Sequence, residues 1–238
     1  MNRRIQAILL LLFGGAIVKI TLTGTYLRYV KAGLKPLLIA AGLILVATAV
    51  ITLWQELRTK HDEHEHADDD GHGHHQSRVG WLLLLPALGL LLISPAPLGS
   101  FAASRAGTVV VSSQSDYPPL PAGDPAELPL LEYAARALLD NGRSLTGRTV
   151  RLTGFITPGP GGHPALARIV LTCCAADGRP IKIGLDGKAP TGVGDGTWVR
   201  AVGVYSTEVG KDPVNDAGIP YLQVSSWEEI PAPEQPYD

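Results

Sequence analysis

Arg168-Ile-Val-Leu-Thr-Cys-Cys-Ala-Ala-Asp-Gly-Arg-Pro180 is the stretch that indicates how the C-terminal half of the chain folds. Alternating apolar residues predict a half-buried strand that begins at Arg168, and the alternation resumes after Pro180. Asp177-Gly178 is a turn signal typical of a β-hairpin. The two cysteines of the protein, Cys173 and Cys174, therefore lie where one strand ends and the chain turns. In regular strand geometry they point to opposite faces, so a shared metal ion requires a bulge or a turn.

The same two-residue periodicity recurs through the rest of this half. Five alternating runs within about eighty residues predict a small antiparallel β-barrel of the OB-like, Greek-key type, with a small antiparallel sandwich as the alternative. Glycines inside three of the runs, Gly154, Gly184 and Gly203, fit barrel strands that bend sharply. Apolar residues at helical spacing over 128–139 predict one helix before the barrel. The predicted strands cover residues 149–155, 168–172, 181–185, 197–205 and 221–227.

Nearly all long apolar runs lie in the first hundred residues. The runs 5–22 and 36–53 are close to the roughly 20 residues that cross a bilayer, and a third run, 79–98, is interrupted by Pro86. We therefore predict an α+β membrane protein with about three N-terminal transmembrane helices. Its domains would be a transmembrane region over 1–98, a linker over 99–126 and a soluble OB-like domain over 127–238. Within the linker, residues 112–125 are rich in Ser, Pro, Asp and Gly and predict an extended tether.

The first apolar run could also be a secretory signal peptide, since Arg3 and Arg4 precede it. No convincing small-residue cleavage site follows, and a second long apolar run comes soon after, so an anchor is favoured. Lys and Arg residues flank the runs on both sides, and their small excess places the amino terminus inside. With three spans, this predicts a multi-pass protein of the cell membrane, in contact with the lipid bilayer, whose soluble domain is extracytoplasmic.

Six of the seven histidines lie between residues 61 and 75, in a loop that is also rich in Asp and Glu. Imidazole binds zinc, copper, nickel and cobalt, and neighbouring carboxylates concentrate cations. The irregular spacing indicates a flexible collector of metal ions, and a solvated low-complexity loop is the alternative. We expect zinc or another transition metal as the bound ion. The predicted ligands are His61, His64, His66, His72, His74 and His75.

Three interpretations of Cys173 and Cys174 compete. They are packed side chains, since free cysteine behaves as a small apolar residue; they are a redox pair that closes a strained vicinal disulfide; or they contact a soft metal or a substrate, with Asp177 close by. His163 is a poor further ligand, because it lies at the far end of the same predicted strand. Cys173, Cys174 and Asp177 are therefore the candidate functional residues of the soluble domain.

Several functional classes are disfavoured by composition and motif. The net charge is −2, and the basic residues of the soluble domain are diluted by Asp and Glu, which argues against a nucleic-acid partner. No nucleophile, base and orienting group can be assembled, and no glycine-rich phosphate loop follows a strand and opens a helix. We therefore expect a protein that is not an enzyme.

Three features carry a resemblance to a known family: the N-terminal spans, the stretch Gly147-Arg-Thr-Val-Arg-Leu-Thr-Gly154-Phe155, and the stretch Arg168 to Asp177 with its Cys-Cys-Ala-Ala-Asp core. On these features the chain resembles the YcgQ family of bacterial membrane proteins. Members of that family look like companions of YcgR-type permeases. The resemblance implies a permease-associated role and a large multi-span permease subunit as partner. It assigns no chemistry to any residue, and the histidine-rich loop is not carried over as a family feature.

Together these observations give one main hypothesis and two alternatives. The main hypothesis is an accessory subunit of a two-component membrane permease that handles or senses a transition-metal ion. The first alternative is a thiol-redox-active or thiol-sensing membrane protein that uses Cys173 and Cys174. The second is a membrane anchor whose tail binds another protein.

Overall fold

The computed structural model describes residues 3–59, 96–111 and 117–238. The predicted histidine-rich loop 61–75, and all but the last three residues of the predicted span 79–98, lie outside these ranges. The chain divides into two compact units. We call Met1–Tyr26 with Ala32–Ala96 the helical unit, and Leu27–Lys31 with Pro97–Asp238 the β unit.

The helical unit contains two apolar helices, α1 (Arg3–Leu22) and α2 (Lys35–Thr59), joined through short 3-10 turns. They pack closely where Gly14 faces Gly42. A Cβ atom on Gly14 would lie 3.0 Å from the carbonyl oxygen of Gly42, and one on Gly42 would lie 2.7 Å from Val18 Cγ2. Only glycine permits this approach of the two helices.

Most large apolar side chains of α1 and α2 are exposed. Leu22, Leu37 and Ile44, for example, are each at least 65% exposed. Within the described residues one helical segment, Ala32–Arg58, is long and apolar enough to cross a membrane, by length and composition alone, and Gln6–Leu22 is a shorter apolar helix. A signal sequence near the N-terminus or the core helix of a soluble protein meets the same criterion. The described residues of the N-terminal region therefore contain one helix that is a candidate, and no more than a candidate, for a membrane helix.

The β unit contains a helix, α3 (Ser100–Arg105), a short strand, β1 (Ala126–Glu127), a second helix, α4 (Leu130–Leu139), and five longer strands. The longer strands are β2 (Thr149–Pro158), β3 (Pro164–Val170), β4 (Arg179–Gly187), β5 (Trp198–Lys211) and β6 (Gly218–Glu229). Short 3-10 turns cover Arg143–Leu145, Pro160–Gly162 and Ala175–Asp177.

The six described strands form one mixed sheet in the order β1-β2-β3-β4-β6-β5, and β5 also pairs with β2. The five longer strands therefore close into a ring. The pairs β1–β2 and β4–β6 are parallel, and the remaining pairs are antiparallel. A parallel pair requires a crossover connection, which a run of simple hairpins does not supply.

The fold-class prediction is wrong in two respects. Three N-terminal transmembrane helices were expected, whereas the described part of the chain has one candidate membrane helix. An antiparallel OB-like barrel was expected, whereas the sheet is mixed, because β6 lies beside β4 in the parallel direction. Alternation identifies strands but carries no information on their direction.

Helix α4 covers the interior of the ring with its apolar face. Leu130, Tyr133 and Ala134 are fully buried in one cluster with inward-facing residues of the strands, such as Leu152 and Ile183. The Tyr133 hydroxyl donates a 2.7 Å hydrogen bond to the carbonyl oxygen of Tyr221, which satisfies its polar end inside the core.

The segment 99–111, which is part of the predicted linker 99–126, contributes to the β unit. Ala103 on α3 is fully buried, and Thr108 is 2% exposed. The Thr108 hydroxyl accepts a hydrogen bond from the backbone N–H of Lys182, and its own N–H donates to the carboxylate of Asp212. The segment is therefore held against β4 and the end of β5 by buried polar contacts.

Candidate functional site

The candidate site is the eight-residue connection Leu171–Gly178 between β3 and β4. Strand β3 ends at Val170, the chain bends at Thr172 and Cys173, and Cys174 then precedes a 3-10 turn, Ala175–Asp177. This departs from the predicted two-residue hairpin turn, and Gly178 has a φ of −59°, outside the left-handed region. The bend removes the strand alternation that would have separated the two cysteines.

Asp177 organises the connection through its carboxylate. Its Oδ1 accepts the N–H of Thr172 at 3.0 Å, and its Oδ2 accepts the N–H of Cys173 at 2.8 Å and that of Cys174 at 3.4 Å. In return, the N–H of Asp177 donates to the sulfur of Cys174, in the reciprocal pattern of a capping box. The side chain of Asp177 thus fixes the backbone conformation of both cysteines.

The thiol of Cys173 also donates to this carboxylate, and the two groups shift each other's pKa. The hydrogen bond from Cys173, joined by the backbone N–H groups, lowers the pKa of Asp177 to about 2. The hydrogen bond to Asp177, with a further contribution from Cys174, raises the pKa of the Cys173 thiol to about 11. At neutral pH the pair is a carboxylate beside a protonated thiol.

The ligand atoms of Cys173, Cys174 and Asp177 all lie within 4.8 Å of one another. Both cysteines are free thiols; Cys173 is exposed and Cys174 is partly buried. Two thiolates and a carboxylate are ligands that zinc accepts in tetrahedral sites. The connection can therefore offer three ligands to one ion and leave the remaining position open to a further ligand.

The site is bordered by the short segment Leu27–Lys31, which belongs to the same β unit. Val30 forms an antiparallel bridge with Cys174. The N–H of Lys31 donates to the carbonyl oxygen of Cys173 at 3.1 Å, and the N–H of Ala175 donates to that of Tyr29 at 2.7 Å. The Lys31 ammonium donates to the carbonyl oxygen of Leu171 at 3.3 Å.

The structure brings together three of the residues that the sequence singles out, namely Cys173, Cys174 and Asp177. The other predicted ligands, His61, His64, His66, His72, His74 and His75, lie outside the described residues. His163 is exposed and precedes the first residue of β3, at the end opposite the cysteines. It is therefore not part of the cluster.

Sequence reasoning missed the bordering segment and the backbone role of Asp177. Val30 and Cys174 are far apart in the chain, and a single bridge between them leaves no periodic pattern in either stretch. The backbone role of Asp177 is only weakly indicated by the sequence. Asp177 comes three residues after Cys174, which is the spacing between the N-cap and the acidic residue of a capping box.

Comparison with protein-family models divides the chain into two matched regions. The DUF1980 N-terminal domain matches residues 5–109, and the DUF1980 C-terminal domain matches residues 133–237. The chain belongs to the DUF1980 family. In this DUF1980 protein the candidate site lies within the C-terminal domain match, and the bordering segment lies within the N-terminal one. Comparisons with curated proteins and with solved structures gave no match.

Proposed function

We propose that this DUF1980 protein binds a thiophilic transition-metal ion at Cys173, Cys174 and Asp177, as an accessory subunit of a membrane permease. The observation that carries the proposal is the placement of two thiols and one carboxylate within 4.8 Å of one another. Zinc is the ion that this ligand set suits best, because it accepts sulfur and oxygen ligands together.

The hydrogen bonds of the site define how the ion would enter. The Asp177 carboxylate accepts three backbone N–H groups and the thiol of Cys173. A carboxylate has about four acceptor positions, so the thiol proton occupies the last of them. Binding of the ion would require each cysteine to lose its proton to solvent, and the position that the Cys173 proton occupies on Asp177 would then be free for the metal.

The same geometry favours metal binding over thiol redox chemistry. A reactive thiol is one whose pKa is lowered, so that thiolate is present at neutral pH. The carboxylate of Asp177 acts on Cys173 in the opposite direction and raises its pKa to about 11. A metal ion can displace the proton despite this shift, because its positive charge stabilises the thiolate directly.

The geometry also supports a site that releases its ion. Three protein ligands leave one position of a tetrahedral zinc ion open to a further ligand, whereas structural zinc sites are closed by four protein ligands. Cys173 is exposed, so an incoming ligand from another protein can reach the ion. This is the behaviour required of a subunit that passes metal to or from a permease.

Membrane localisation is the second part of the proposal. The apolar side chains of α1 and α2 face outward along both helices, and the threonine hydroxyls of these helices bond to carbonyl oxygens within the same helix, as Thr21 does to Ile17. These features support an N-terminal membrane anchor that includes α2, since Ala32–Arg58 is the described helical segment long and apolar enough to cross the bilayer. The resemblance to YcgQ proteins supports a large multi-span permease as the partner.

The metal part is tested by titrating the full chain, purified in detergent under reducing conditions, with Zn²⁺ in competition with a chromophoric chelator. We expect one ion per chain at high affinity, loss of that site in Cys173→Ser and Cys174→Ser, and weaker binding in Asp177→Asn. Asp195→Asn is the matched control, because Asp195 is an exposed carboxylate outside the site. The histidine-rich loop is removed in a parallel deletion of residues 61–75, so that its contribution is counted separately.

The metal part is contradicted if both serine variants keep the wild-type stoichiometry and affinity. The permease part is tested separately, by isolating the chain from native membranes with a mild detergent and identifying what accompanies it by mass spectrometry. A multi-span membrane protein in stoichiometric amount supports the accessory role, and isolation of the chain alone rejects it.

A further inference from the structure

The two thiols of the candidate site can also act together as a chelate that needs no further protein ligand. Cys173 and Cys174 are the two cysteines of the whole sequence, and both are free thiols. The bend of the connection brings their sulfur atoms within 4.8 Å of each other. Cys173 is exposed and Cys174 is partly buried, so a molecule from solvent can reach the pair. The pair can therefore form two bonds to a single atom.

Hydrogen bonds hold the backbone of the two cysteines in place. The N–H of Cys173 donates to the carboxylate of Asp177 at 2.8 Å, and the N–H of Asp177 donates to the sulfur of Cys174. The carbonyl oxygen of Cys173 accepts the N–H of Lys31 at 3.1 Å. Once one sulfur has bonded to a ligand, the second is already close, which gives it a high effective concentration for the second bond.

The number and the type of the donors indicate which electrophile suits such a chelate. Sulfur ligands favour soft acceptors, whereas carboxylate oxygen favours hard ones. Trivalent arsenic is a soft acceptor that exchanges its hydroxyl groups for thiols. A mono-organo arsenical in this state has one organic group and two exchangeable hydroxyl groups, which matches the two cysteines. Inorganic arsenous acid has three hydroxyl groups, and Asp177 supplies no third sulfur. The site therefore matches the mono-organo form better.

We propose that Cys173 and Cys174 capture a trivalent mono-organo arsenical as a cyclic dithiolate. The proposal rests on the site of the proposed function, but it uses the two sulfur atoms alone as ligands. Each sulfur forms a bond to arsenic and gives up its proton, and each of the two hydroxyl groups leaves arsenic with one of these protons as water. Arsenic stays trivalent, so the step needs no oxidant or reductant. The Asp177 carboxylate, which accepts the thiol of Cys173, is placed to carry that proton to the leaving hydroxyl group.

The test exposes the full chain, reduced and then freed of reductant in nanodiscs, to phenylarsine oxide, arsenite and phenylarsonic acid. Intact-mass spectrometry should show one phenylarsenic group per chain, with the loss of two hydrogens and of both titratable thiols. Phenylarsonic acid has the same aromatic body but pentavalent arsenic, and it should give no adduct. Cys173→Ser and Cys174→Ser should each hold phenylarsenic at least about a hundredfold less well against a competing monothiol, because the intramolecular second bond is lost.

Asp177→Asn separates this proposal from zinc binding, because it keeps both thiols and removes one zinc ligand. It should capture phenylarsenic with wild-type stoichiometry while it binds Zn²⁺ more weakly. Cys173 is exposed, so Cys173→Ser should stay folded, which circular dichroism verifies.

The proposal is overturned if the wild type forms no adduct, if folded Cys173→Ser holds phenylarsenic as firmly as the wild type, or if arsenite binds as tightly as phenylarsine oxide. Zinc binding that depends on both cysteines, without an arsenic adduct, would leave the proposed function standing and remove this proposal. An arsenic adduct without zinc binding would do the reverse.

Discussion

Cys173 and Asp177 are joined twice, by a 2.8 Å hydrogen bond from the Cys173 backbone N–H to Oδ2 of Asp177 and by the thiol that donates to the same carboxylate. The backbone hydrogen bond fixes the position of the Cys173 main chain, and the hydrogen bond from the thiol favours the protonated form of Cys173. Because the exposed thiol donates to an anion, its pKa is raised to about 11, although exposure alone would leave it reactive.

The first prediction concerns alkylation of this thiol. Between pH 7 and pH 9, Cys173 should react with iodoacetamide more slowly than an ordinary exposed cysteine, because thiolate is the reacting form and its population depends on the pKa. Asp177→Asn should speed the reaction, since it removes the negative charge that raises the pKa of the Cys173 thiol in the wild type. Peptide mass spectrometry of the metal-free chain measures the rate at each cysteine. A rate at Cys173 that is the same in wild type and Asp177→Asn would contradict the assignment.

The second prediction concerns acid stability. The pKa of Asp177 in the folded protein is about 2, below its ordinary value of 3.8. A carboxyl whose pKa is depressed by folding contributes stability that is fully present above the ordinary pKa and is lost as the pH falls towards the folded one. The melting temperature of wild type should therefore exceed that of Asp177→Asn at pH 6, and the difference should shrink as the pH falls from about 4 to about 2.

The control for this experiment is Asp195→Asn, whose exposed carboxylate lies outside the connection. It should follow wild type throughout the pH range. A difference between wild type and Asp177→Asn that is constant from pH 6 to pH 2 would show that the carboxylate charge does not stabilise the connection.

The third prediction tests the buried ion pair of Lys182 and Asp212, which lies where the segment 99–111 packs against the sheet. Lys182 Nζ lies 2.9 Å from Oδ2 of Asp212, and both side chains are at most 2% exposed. Removing one partner leaves an uncompensated buried charge, so Asp212→Asn should lower the free energy of unfolding by about 3–5 kcal/mol. Denaturant unfolding measures the change.

The double variant Lys182→Met with Asp212→Asn should recover part of that loss, because it leaves no unpaired charge and the amide oxygen still accepts the N–H of Thr108. The exposed pair of Arg200 and Glu228 supplies the control: Glu228→Gln should change the free energy by at most about 1 kcal/mol. Equal effects of Asp212→Asn and Glu228→Gln would indicate that the pair of Lys182 and Asp212 is not buried in solution.

The sequence predicts the local elements of the β unit better than their arrangement. All five predicted runs overlap observed strands, and Gly203 lies at a register shift between β5 and β6, as a glycine within a bent strand suggests. Alternation is a local property, and each strand imposes it on its own residues. The closure of β5 on β2 and the parallel pairing of β4 with β6 are long-range relationships that no local pattern records.

The candidate site divides in the same way. The adjacent thiols and Asp177 are visible as residue types, and strand geometry implies that the two thiols can share an ion only if the chain turns there. Their convergence depends on the bend at Thr172 and on the 3-10 turn that follows.

The fourth prediction concerns the segment that borders the site. The N–H of Lys31 donates to the carbonyl oxygen of Cys173, and the adjacent bond from the N–H of Ala175 to Tyr29 belongs to the same short bridge. Lys31→Pro removes the donor, because proline has no backbone N–H. We expect the Ala175 amide to exchange hydrogen faster in Lys31→Pro, as measured by exchange mass spectrometry on the peptide that spans the connection.

Lys31→Ala is the matched variant, since it keeps the backbone N–H and removes only the ammonium that bonds to Leu171. Exchange at Ala175 should be nearly unchanged in Lys31→Ala, because the two backbone bonds of the bridge survive. If Lys31→Pro also exchanges like wild type, the bridge does not order the connection. If it exchanges faster and binds Zn²⁺ more weakly than Lys31→Ala does, the bordering segment contributes to the geometry that holds the two cysteines and Asp177 together.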